Sequence, residues 1–114
     1  MALPETTRRA AEKALSEFCA RRIPVHLRDE IRLGFRFRGD SVTLFEERPA
    51  FGQDETWVEI PVAQFRFDAE PKEWTLFCSD RNSRWHEYLD SGPEHDLEKL
   101  LREVDRDPTG IFWG

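Results

Sequence analysis

The chain has 114 residues, a formal net charge of −6, and apolar and charged shares of 39% and 35%. That balance suits a soluble folded domain; it is too apolar for disorder, and no apolar run is long enough to cross a membrane. The acid excess argues against a chain whose main task is to hold nucleic acid, since that affinity rests on neutralising phosphates.

The opening "MALPETTRRAAEK" has charges where a secretory signal needs an apolar stretch, so the expected location is the cytoplasm. A chain of this size buries roughly two-thirds of its unfolded surface, enough for one core. The expectation is one domain over residues 1–114, complete from Met1.

In chain order, residues 5 to 22 read as a helix. Ala11, Ala14, Leu15, Phe18 and Cys19 recur at helical spacing and form one apolar stripe. Pro4 suits a first-turn position, where its missing N–H costs nothing, and Pro24 ends the helix. The period then becomes two. In "IRLGFRFRGDSVTLFEER" one face carries Ile31, Leu33, Phe35 and Phe37, and the other carries Arg32, Gly34, Arg36 and Arg38. A two-residue turn at Gly39-Asp40 sets the register. Arg38 then faces Ser41, Phe37 faces Val42, Phe35 faces Leu44, Leu33 faces Glu46 and Ile31 faces Arg48. On the other face Phe45 covers the bare Gly34, and Arg32 meets Glu47.

A loop leads into "WVEIPVAQFRFD", where Pro61 demands a bulge, a corner or two short strands. "WTLFCSD" and "RWHEYL" make a second hairpin around Asp80-Arg81-Asn82-Ser83, which places His86 opposite Phe77. A closing helix carries Leu97, Leu100, Leu101 and Val104 on one face, Pro108 stops it, and the end "TGIFWG" is apolar. The fold class is α+β: an N-terminal helix, an antiparallel meander of five or six strands, a C-terminal helix and an apolar tail, with the helices on one sheet face.

Four ordered blocks, "VTLFEERPAF", "PVAQFRFD", "DRNSRWHEY" and "DPTGIFWG", resemble a family of small bacterial proteins, the domain-of-unknown-function family with the index three thousand and twenty-four. The resemblance covers nearly the whole chain. It implies a soluble stand-alone domain and brings no activity, so no catalytic residue or cofactor is carried over.

Candidate sites are few. Glu46 and Arg48 continue the face of Val42 and Leu44, where a charge is costly unless paired. Either they form a structural ion pair, or the sheet ends there and Arg48 offers its fork to a ligand's carboxylate or phosphate. A ligand cleft would draw on Glu46, Arg48, Trp57, Trp85 and His86. His86 has no orienting partner evident in sequence, and a half-buried strand histidine is the plainer reading.

Cys19 and Cys78 fit free buried thiols; His26, His86 and His95 show no metal-ligand spacing, and no glycine-rich loop opens a helix, so neither metal nor cofactor is expected. Arg32, Arg36 and Arg38 form a row that could bind nucleic acid, against the alternative of a solvated face balanced by Glu47. Ile111, Phe112 and Trp113 must be covered, by the fold itself or by a partner.

The leading expectation is a non-catalytic module that binds a protein partner or a second copy of itself, with no membrane role. Nucleic-acid binding through the arginine row is the alternative. An enzyme with a cleft near Arg48 comes third.

Overall fold

Alternation with a period of two fills the middle of the chain, and a helical period fills each end. The computed structural model, which describes residues 3–50 and 56–113, turns that order into one five-stranded antiparallel sheet with two helices against one face. Helix α1 spans Glu5–Arg22, and a short 3₁₀ turn follows at Val25–Leu27. Strands β1 (Arg32–Arg38), β2 (Ser41–Pro49), β3 (Trp57–Asp68), β4 (Glu73–Ser79) and β5 (Trp85–Glu87) follow in sequence and lie side by side in the same order. Helix α2 spans Leu97–Arg106. Among the described residues, no helix is long and apolar enough to cross a membrane.

The inner face of the sheet is the core. Val42, Leu44, Ala63, Phe65, Leu76 and Trp74 pack against Ala11, Ala14, Leu15 and Phe18 of α1 and against Leu97, Leu100, Leu101 and Val104 of α2. Phe65, Leu44, Leu76, Leu15 and Leu100 are fully buried. Removing such side chains from water is the dominant stabilising term, on the order of 2 kcal/mol for each large one. Asp96 caps α2 by accepting a hydrogen bond from the Glu98 N–H at 3.0 Å.

The first hairpin follows the sequence pattern over its full ladder, from Arg38↔Ser41 to Arg32↔Glu47. Gly39 takes φ +60°, which a glycine adopts without strain. The expected pairing of Ile31 with Arg48 does not form. The Ile31 N–H instead bonds the Leu27 carbonyl at 3.0 Å, which closes the 3₁₀ turn and starts the strand one residue later. Around Pro61 the answer is a bulge. Leu44 pairs with Ala63 and Phe45 with Pro61, so Val62 is the extra residue of one continuous β3. Beyond Ala63 toward Trp57, β3 pairs with β2 alone, so Pro61 removes no hydrogen bond to β4.

The second hairpin departs from expectation by one residue. His86 pairs with Cys78, and Phe77 pairs with Glu87. Five residues lie between the paired Ser79 and Trp85 because Ser83 adopts φ +62° and lengthens the turn. A one-residue slip moves a side chain to the other face. His86 therefore stands on the inner side with Cys78, while Trp85 stands on the outer side. The strand is also shorter than "RWHEYL", ending at Glu87; Tyr88 then enters the core.

Candidate functional site

Parity along the strands sorts the candidate residues. Glu46, Arg48 and His86 lie on the helix-bearing side, and Trp57 and Trp85 lie on the opposite, outer side. Glu46 and His86 are also three strands apart. The five residues considered for one cleft are thus not brought together, and no described cavity combines Arg48, Trp57 and His86.

Two local pairs stand on the inner side. Arg48 Nε meets Glu46 Oε2 at 2.9 Å, with Glu46 buried and Arg48 half-exposed. Glu46 pairs with Ile60 and Arg48 with Val58, and both of these β3 partners are exposed, so this end of the inner face is less covered than the core. His86 Nε2 meets Asp80 Oδ2 at 2.7 Å. Asp80 Oδ1 accepts from the N–H groups of Asn82 and Arg84 at 2.8 and 3.0 Å. The bond to His86, then that from Arg84, holds the Asp80 carboxyl below its ordinary value.

This orienting partner was not visible in the sequence. Asp80 reads there as a turn residue, and only the longer turn returns it to His86. The pair has no activated thiol beside it. Burial pushes the Cys78 thiol up, and pushes Cys19 up to about 11, the opposite of what a nucleophile needs. Among the described residues, no group of three or more histidine, cysteine or carboxylate side chains could hold a metal ion.

The apolar tail is folded back. Phe112 is buried against Tyr88, with ring centres 5.0 Å apart. Trp113 donates its indole N–H to the Val104 carbonyl at 2.7 Å, and Arg22 stacks 4.2 Å from its ring. Asp107 directs this. It ends α2 in the left-handed conformation at φ +45°, and its carboxylate accepts from the N–H groups of Phe112 and Trp113 at 3.1 and 2.9 Å. Ile111 alone of the three stays exposed.

The outer face holds most of the remaining chemistry. No helix covers it among the described residues. Three guanidinium groups lie on three aromatic rings: Arg32 at 3.8 Å from Trp57, Arg36 at 5.0 Å from Phe45 and Arg66 at 3.9 Å from Phe77. Phe45 lies over Gly34 so closely that a Cβ there would sit 2.8 Å from the ring. Arg36 also grips Glu59 through both terminal nitrogens, at 3.1 and 2.7 Å. That fork holds the Glu59 carboxyl below its usual range. Gln64 bridges the strands, donating to Thr43 Oγ1 at 2.9 Å and accepting from Arg66 Nε at 2.8 Å. A shallow depression of about 330 Å³ lies among Arg36, Thr43, Phe45, Pro61, Gln64 and Trp85.

The chain belongs to the family described as a domain of unknown function, DUF3024, whose model matches residues 3–114. No curated protein and no solved structure matches the chain.

Proposed function

We propose that the chain is a non-catalytic interaction module whose outer sheet face docks a protein. The observation that carries this reading is the set of three guanidinium–aromatic stacks standing on an uncovered sheet face. Arginine and the large aromatics are the residues that dominate protein–protein binding energy. Here they are ordered before any partner arrives, so little side-chain entropy remains to be lost on docking.

The same details weigh against nucleic acid as the occupant. A base needs a bare ring to stack on, and guanidinium groups already lie on Trp57, Phe45 and Phe77. The whole chain carries −6, which opposes an occupant made of phosphates. Among the described cavities, none unites the residues of an enzyme reading. The location that goes with the proposal is the cytoplasm, supported by the charged N-terminal segment.

The test is photocrosslinking in cells from a reactive residue at Thr43 on the outer face, with Glu12 on α1 as the control position. A discrete protein adduct from position 43, absent from position 12, is expected. Adducts carrying nucleic acid, or equal labelling from both positions, overturn the reading.

A further inference from the structure

The outer face has a cation column along one edge. Arg32, Arg36 and Arg38 stand on β1, and all three are exposed. At the other edge the side chains of β4 and β5 on this face include Glu73, Phe77, Trp85 and Glu87. The ladders place these residues in rows across the sheet. One row reads Arg36, Thr43, Gln64, Phe77, Glu87. It runs from cation through polar groups to aromatic and anion, with Gln64 at its centre. Beyond the bulge, Gly34 pairs with Phe45 and Phe45 with Pro61 at one edge, and Ser79 pairs with Trp85 at the other, so a glycine stands at the β1 edge and a tryptophan at the β5 edge.

Resting on the protein-docking reading above, we infer that the occupant of this face is a second copy of the chain, stacked sheet to sheet about a two-fold axis running along β3. A two-fold parallel to the strands exchanges the two edges, so β1 of one copy faces β5 of the other. Arg36 then faces the other copy's Glu87, Thr43 faces Phe77, and Gln64 faces itself. The depression beside Arg36, Thr43 and Phe45 lies over the β1–β3 half with Trp85 of β5 as its far wall, and the half-buried Phe77 stands beside it on β4. Each copy thus offers its hollow to the other's Phe77, twice by symmetry.

The other two-fold in the sheet plane, perpendicular to the strands, sets β1 over β1. It opposes the arginine column to itself, and like charges facing across an interface are strongly unfavourable. Pairing of the free β1 edges meets the same arginines, a common device against edge-to-edge association. Arg66 stands on β3 and therefore on the axis, one row from Gln64, where it would face its own copy. Its guanidinium is turned aside onto the Phe77 ring of β4, which carries the charge off the axis, and its Nε donates to Gln64 Oε1.

Strands about 4.8 Å apart and rising about 3.3 Å per residue give the face an area on the order of 500 Å² per copy. The pair then buries about 1,000 Å² in total, the lower bound for a specific interface. Two sheets packed this way align within about 30° at a spacing near 10 Å, the arrangement of a β-sandwich.

The test is the solution mass by light scattering at concentrations up to about 100 µM, the range of a modest specific interface. Wild type is expected at twice the chain mass of 13.5 kDa. Arg36→Glu and Glu87→Arg are each expected to weaken the pair at least about tenfold by placing like charges together. Mixing the two variants restores the double mass, because the altered contact becomes Glu against Arg and the second contact is native. Circular dichroism of each variant separates lost pairing from lost folding, and the double variant Arg36→Glu/Glu87→Arg gives the same rescue within one chain. Wild type at the single-chain mass, or no rescue on mixing, overturns the two-fold arrangement. If the chain is single while position 43 still crosslinks a different protein, this inference fails and the docking reading stands.

Discussion

The two faces of the sheet use the same residue types to opposite ends. On the inner face, aromatics such as Phe65, Phe67 and Trp74 are sealed by two helices and make the core. On the outer face, Phe45, Phe77 and Trp57 are roofed by arginine instead of by secondary structure. A helix removes a ring from water and adds stability. A guanidinium covers the ring yet keeps its own edge wet, so that surface stays solvated. On the proposed docking reading, stability and association occupy opposite sides of one sheet, and substitutions can separate them.

The largest expected effect contrasts two phenylalanines on neighbouring strands. Phe65→Ala opens a cavity in the sealed core and is expected to cost about 3–5 kcal/mol in chemical denaturation. Phe77→Ala removes a half-exposed ring and is expected to cost about 1 kcal/mol. Equal losses would erase the distinction between the faces.

A smaller effect is expected at the inner end of β2. Arg48→Ala leaves the buried Glu46 carboxylate without its partner at 2.9 Å, and a loss of about 1–2 kcal/mol is expected in the same assay. Because Arg48 is itself half-exposed, the loss stays below that of a sealed pair. An unchanged melting temperature would mean that water replaces the arginine freely and that the pair contributes nothing to the fold.

The smallest effect concerns the second hairpin. The folded-state carboxyl of Asp80 lies below its ordinary value of 3.8, so its contribution is present above that pH and is lost as pH falls through the lower folded value. Asp80→Asn is therefore expected to be less stable than wild type at neutral pH and to converge with it in acid. Parallel curves at every pH would show that the bonds from His86 and Arg84 carry no stabilising difference.

How far the sequence reached depends on the turn that set each register. At Gly39-Asp40 a two-residue turn leaves no slack, so alternation alone sorted Arg32, Arg36 and Arg38 from Leu33, Phe35 and Phe37, and put Phe45 over Gly34. At Asp80–Arg84 the left-handed Ser83 adds a residue that its side-chain type does not announce, and the error carried His86 and Trp85 to the wrong sides. The Asp80–His86 contact was hidden for the same reason. Glu46 was legible as a tension, a charge at a core position, and the structure meets it with Arg48 at the edge of the helical cover. The tail was legible as something that had to be buried. Its clamp was not, because Asp107 works through a backbone conformation that non-glycine residues seldom adopt.

The separation of stability from association is tested most directly on Phe77→Ala, by recording its melting curve and its solution mass on one preparation. A cooperative transition close to that of wild type, together with the mass of one chain where wild type shows two, is the predicted result. A chain that fails to fold, or one whose mass matches wild type, would contradict the account.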